Sequence, residues 1–109
     1  MDNFSIDLAE LYDLKELNQK QLYSFKAKGF DVILVDTLLK PISTLDFKVL
    51  KYDPFALEKL SKKNSILVFY CDSGKTSLAR LEFFKARLNG FRCYSLKGGR
   101  AYWRQNFQA

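Results

Sequence analysis

The chain contains no histidine. That absence alone removes Ser-His-Asp and Cys-His catalysis. Two cysteines, Cys71 and Cys93, are too few for a disulfide scaffold and by themselves make a poor zinc site. Reduced thiols and a cytoplasmic setting are therefore expected. No apolar run approaches the length that spans a bilayer, and the acidic start (Asp2, Asp7, Glu10, Asp13) is unlike a signal peptide. Linkers, internal repeats and low-complexity tracts are also missing. What remains is a chain of 109 residues, 48% hydrophobic and 16% aromatic, expected to fold as one domain over 1–109 with a core of its own.

The net charge of +6 is unevenly placed. Up to Tyr70, ten basic and ten acidic residues cancel. Beyond it stand eight basic residues (Lys75, Arg80, Lys85, Arg87, Arg92, Lys97, Arg100, Arg104) against two acidic ones, Asp72 and Glu82. Such a bias steers anionic or acidic partners, although a solvated surface explains it equally well.

The pattern along the chain alternates strands and helices. Phe4, Ile6 and Leu8 suggest a short edge strand, and Leu11, Leu14 and Leu17 fit a helical turn equally well. Asn18 and Gln21 form a capping pair for a helix whose inner face holds Leu22 and Phe25. Gly29 stops that helix, with Phe30 beyond it for a hydrophobic contact. Val32–Val35 reads as a buried strand between Asp31 and Asp36, and Asp36 at its end shapes a cleft rather than reacting. Residues 37–53 are mixed, with a short strand expected at Phe47–Leu50. Asp53-Pro54 starts a helix facing inward through Leu57 and Leu60. Ile66–Tyr70 is a second buried strand. A helix from about Ser77 to Leu88 follows, with Leu81, Phe84 and Leu88 on one stripe. Asn89-Gly90 ends it, Arg92–Leu96 is a further strand, Gly98-Gly99 a turn, and Ala101–Gln105 a closing helix that carries Trp103. This order predicts an α/β fold with a mainly parallel central sheet of about four to five strands and helices on both faces.

The chemistry concentrates in Ile66–Ser77, I-L-V-F-Y-C-D-S-G-K-T-S. A strand, a tight loop and a helix start surround one sulfur with backbone N–H groups, an arrangement that favours a thiolate or a bound anion. A Walker A loop needs a glycine where position 69 is Phe. The cysteine-phosphatase signature needs an arginine where position 77 is Ser. Cys71 could instead be a small hydrophobe closing a core strand, but its place at the strand–loop junction argues for function. Cys93 lies mid-strand and is read as packing, with a resolving thiol as the alternative. Ser73 and Thr76 are candidate caps for the helix.

Cys71-Asp72-Ser73-Gly74-Lys75-Thr76 resembles the six-residue active-site loop of the rhodanese-like sulfurtransferases. The likeness extends to Gly90-Phe91, the strand Arg92–Leu96, Lys97-Gly98-Gly99 and Trp103, and to the helix and strand ending at Asp36. Over 37–52 the usual glycine-histidine-isoleucine segment is missing, and Leu38 stands where an arginine is common. The resemblance implies a sulfurtransferase or sulfur carrier: Cys71 takes up a sulfane sulfur as a persulfide and surrenders it to a thiol, cyanide or a carrier protein. It implies no cofactor or metal. The loop amides, Lys75 and the hydroxyls of Ser73, Thr76 and Ser77 would then hold the donor, with Gly74 at the turn. Asp72 stands where family members that use thiosulfate carry arginine. The expected donors are therefore persulfide, polysulfide or 3-mercaptopyruvate ahead of thiosulfate. The other reading is a catalytically inactive rhodanese-like module that binds a protein, or RNA, through the basic last third. Neither a membrane nor a nucleic acid is the expected partner.

Overall fold

The structure, a computed structural model, describes residues 14–107. The expected strand at Phe4–Leu8 and the position of Leu11 lie outside them. Five strands form one parallel sheet: β1 (Glu16–Leu17), β2 (Asp31–Asp36), β3 (Lys48–Lys51), β4 (Ser65–Tyr70) and β5 (Arg92–Leu96). Their order is β1-β5-β4-β2-β3, with β4 at the centre. Leu17, for which a helical turn fitted equally well, pairs with Leu96 as part of the edge strand β1. Two residues suffice there because β5 supplies a ready ladder, as when Ser95 N–H bonds the Lys15 carbonyl.

Helix α1 (Gln19–Ala27) has the expected capping box between Asn18 and Gln21. Past its end the Phe30 N–H reaches the Phe25 carbonyl, and the two rings lie 6.0 Å apart, so the stop at Gly29 is a capped one. Helix α2 (Pro54–Leu57) is a single turn in which Asp53 Oδ1 accepts from the N–H groups of Phe55 and Ala56.

Side chains of the inner strands alternate between two cores. Val32, Leu34, Ile66, Val68, Tyr70, Tyr94 and Leu96 pack with Leu22 and Phe25 of α1 and with Ile42 and Phe47. Ile33, Val35, Leu67, Phe69 and Cys93 pack on the other face against Leu57, Leu81, Phe84 and Leu88. Phe69 stacks on Phe84 at 4.2 Å between ring centres. Both faces of β4 are covered, which is why its sequence after Ser65 is hydrophobic from Ile66 to Tyr70.

Helix α2 stops at Leu57, short of Leu60, and two further expected helices take a different form. The stripe Leu81, Phe84 and Leu88 holds, but its helix begins earlier and is broken into α3 (Lys75–Ala79) and α4 (Leu81–Arg87). Arg80, at φ −95° and ψ 1°, ends one and opens the next. The break lets α3 aim Ser77 at the loop while α4 seats its apolar stripe on the sheet. The closing helix at Ala101–Gln105 is only a 3-10 turn, Arg100–Tyr102, with Trp103 extended beyond it. Trp103 is half-buried and packs edge-on to Phe47, 6.0 Å away. Among the described residues, no helix is long and apolar enough to cross a membrane.

Candidate active site

The central strand β4 delivers Cys71 to the carboxyl edge of the sheet, between β2 and β5, where parallel α/β folds place their ligands. The chain then turns through Gly74, at φ +90°, and α3 starts at once. Gly74 caps that helix with no side-chain bond, so Ser73 and Thr76 are not the caps expected of them. The turn folds the loop around one atom. The Cys71 sulfur accepts from the Gly74 N–H at 3.1 Å and from the Ser77 N–H at 3.3 Å, and it lies 3.4 Å from the Ser77 hydroxyl oxygen.

Cys71 is only 5% exposed. Burial alone raises its pKa, but the Ser77 hydroxyl and the N–H groups of Ser77, Gly74 and Ser73 outweigh it and hold the thiol below its ordinary value. The ring is therefore built for a negative sulfur. Cys93 is the opposite case: burial pushes its thiol up to about 12, with Lys85 opposing. Cys93 pairs with Leu67, and Cys71 lies four residues further along that strand. At about 3.3 Å per residue the two Cα positions are offset by roughly 13 Å along the sheet, beyond disulfide reach. Cys93 is packing.

A second turn grips the loop from outside. The Arg100 N–H donates to the Cys71 carbonyl at 2.8 Å, and the Ala101 N–H to the Asp72 carbonyl at 2.9 Å. Gly99 makes this approach possible, because a Cβ there would stand 2.6 Å from the Gly74 nitrogen. The third wall is the segment after β2. The buried Tyr70 hydroxyl accepts from the Ile42 N–H at 3.0 Å and donates to the Lys40 carbonyl at 3.1 Å. Burial pushes the Tyr70 pKa up to about 12, with the Ile42 N–H and Arg100 opposing and Asp36 adding to the rise. Arg100 Nε reaches the same Lys40 carbonyl, and Asp36 Oδ1 accepts from the Leu38 N–H, shaping the turn. Beside this wall lies a cavity of about 260 Å³ lined by Pro41, Ile42, Ser43, Arg100, Trp103 and Gln105.

Of the loop residues expected to bind a donor, Gly74 and Ser77 reach the sulfur, and Ser73 contributes through its N–H. Asp72, Lys75 and Thr76 have exposed side chains on the outer rim. The sequence reading missed Ser95, whose hydroxyl lies 2.7 Å from that of Ser77. Its one signal was a small polar residue between Tyr94 and Leu96 in the buried part of a strand.

A family model described as a rhodanese-like domain matches residues 32–106. No curated protein and no solved structure matches the chain.

Proposed function

The chain belongs to the rhodanese-like domain family, and from that premise we propose that it is a sulfurtransferase or sulfur carrier working through a persulfide on Cys71. The observation that carries this reading is the ring of donors at 3.1–3.4 Å around a sulfur whose pKa is lowered.

In the first step the Cys71 thiolate attacks the terminal sulfur of a donor R–S–SH. The donor's S–S bond breaks, RS⁻ leaves, and Cys71 carries S–SH. In the second step a thiolate or cyanide attacks that outer sulfur. The Cys71 thiolate is the leaving group, and the product is a new persulfide or thiocyanate with release of the proton. The N–H groups that favour the thiolate also stabilise it as it leaves, as an oxyanion hole stabilises developing charge.

The near-complete burial of Cys71 favours donors whose sulfane sulfur ends a slender chain, such as a persulfide or polysulfide. 3-Mercaptopyruvate is a further candidate, and a carrier protein is a candidate acceptor. Asp72 disfavours thiosulfate. A reducing compartment, the cytoplasm, suits a protein with two free thiols.

The test is turnover of glutathione persulfide with cyanide or a thiol as acceptor. Activity that is lost on Cys71→Ser and kept on Cys93→Ser is expected. Equal activity in the Cys71→Ser variant would overturn the reading.

A further inference from the structure

Among the described residues four polar side chains are buried: Asp36, Ser65, Ser77 and Ser95. Two of these four are stacked in line behind the Cys71 sulfur. Ser77 Oγ lies 3.4 Å from Sγ, and Ser95 Oγ lies 2.7 Å from Ser77 Oγ. Ser95 is 0% exposed, so its hydroxyl is cut off from bulk solvent.

Each hydroxyl must place its one proton, and the geometry restricts the choice. Among the described residues the only other acceptor within reach of Ser95 Oγ is the Gly74 carbonyl at 3.5 Å, beyond the usual O–H···O range, and that oxygen also accepts the Leu78 N–H. If Ser77 donated to Ser95, the Ser95 proton would be left with that distant acceptor inside a buried site, which is costly. Ser95 therefore donates to Ser77. Ser77 must then send its own proton elsewhere, and the Gly74 carbonyl at 3.4 Å is a stretched O–H···O contact. The sulfur at 3.4 Å is an ordinary distance for a hydrogen bond to the larger atom. We infer that Ser95 is a positioning residue that fixes the direction of a two-hydroxyl chain, so that Ser77 always donates to the Cys71 sulfur. This deepens the reading of Cys71 as a nucleophile and rests on it.

The chain is neutral, which sets it apart from activation by charge. The charged residues on the elements around Cys71 are Asp72 and Lys75 on its own loop, Asp36 and Lys40 at and after the end of β2, and Lys97 and Arg100 after β5. Hydrogen bonds, not these charges, lead the effects that favour the thiolate. A hydroxyl pair also stays in place when the sulfur cycles between thiolate and persulfide, since neither serine changes charge.

The experiment is the pH profile of Cys71 alkylation by iodoacetamide, read by intact mass, in the whole chain with Cys93→Ser as background. Ser95→Ala is expected to move the midpoint up by about half to one pH unit, part of the roughly one to two units that a whole hydrogen bond to a charged group is worth. Ser95→Thr, which restores the hydroxyl, should bring it back. Ser95→Val has the shape of the threonine variant without its hydroxyl, so this pair keeps the comparison should Ser95→Ala fail to fold. On a Ser77→Ala background, removing the Ser95 hydroxyl should produce no further shift. An unchanged midpoint in Ser95→Ala or Ser95→Val, or a shift that persists without Ser77, would overturn the inference. No sulfur donor is used. A protein that shows the shift but never loads sulfur would contradict the sulfurtransferase reading and leave this one standing.

Discussion

Gly99 lies against the backbone of Cys71 so closely that a Cβ on it would overlap the Cys71 carbonyl oxygen and stand 2.6 Å from the Gly74 nitrogen. Its backbone, at φ 60° and ψ −157°, occupies a region essentially reserved for glycine. Gly99→Ala is therefore expected to cost about 3 kcal/mol or more and to open the donor ring around the sulfur. At Gly98 the overlapping atoms belong to Tyr102: its ring can rotate, but its Cβ at 2.8 Å moves only with the Arg100–Tyr102 turn. Gly98→Ala should cost about 2 kcal/mol, less than Gly99→Ala because Tyr102 is exposed and its turn has room to shift. Thermal melts with iodoacetamide rates rank the two, and equal losses would contradict this packing.

The two thiols should titrate in opposite directions. Cys71 is held below its ordinary value and Cys93 is raised to about 12. At neutral pH, limited iodoacetamide should label the folded chain once, at Cys71, and label Cys71→Ser only after unfolding. The signs for stability also differ. The Cys71 contribution is fully present above the unfolded thiol pKa and is lost as pH falls through the folded one. Cys93 acts the other way: the unfolded thiol ionises first, so stability declines as pH rises from its ordinary value towards about 12. Denaturant melts of each Cys→Ser variant across pH 6–10 separate the two.

Asp72 sits on the exposed rim of the loop, with its carbonyl tied to the Ala101 N–H. At about 6 Å its carboxylate repels an anion by about 0.7 kcal/mol per unit charge in water and about 3 kcal/mol at an effective dielectric of 20. Asp72→Arg should raise thiosulfate turnover several-fold while changing stability by less than about 0.5 kcal/mol. The check is steady-state turnover with thiosulfate and with glutathione persulfide. An unchanged ratio between the two donors would mean that the side chain does not face the incoming anion.

Tyr70 supports the segment after β2 from beneath through Ile42 and Lys40. In Tyr70→Phe the Lys40 carbonyl keeps Arg100 Nε, but the Ile42 N–H loses its acceptor. The expected cost is about 1–3 kcal/mol. Urea melts measure it, and faster amide exchange at Ile42 would locate it.

Legibility in the sequence followed how local each cause is. The capping box at Asn18, the stop at Gly29 and the Asp53-Pro54 start depend on residues within one turn of each other, and all three form as read. The buried runs of β2 and β4 were equally plain, because a strand covered on both faces has no polar positions to confuse it. The position of Cys71 just past the end of such a strand was legible for the same reason. The break at Arg80 was not, since it answers two demands from elsewhere in the fold: Ser77 toward Cys71, and Leu81 and Phe84 toward the sheet. The same holds for β1, which exists only because β5 lies beside it. Ser95 escaped notice because it meets Ser77 across 18 residues of sequence and through the sheet. The roles given to Lys75 and Thr76 came from the loop motif alone, whereas their side chains are exposed on its rim.

The most direct measurement is intact mass after exposure of the reduced protein to glutathione persulfide, polysulfide, 3-mercaptopyruvate and thiosulfate in turn. The expected result is a gain of one sulfur atom with at least one of the first three, absent in Cys71→Ser, retained in Cys93→Ser and reversed by a thiol. Folded, reduced protein that gains no sulfur from any donor, or gains it without Cys71, would contradict the assignment of Cys71 as the sulfur-carrying residue.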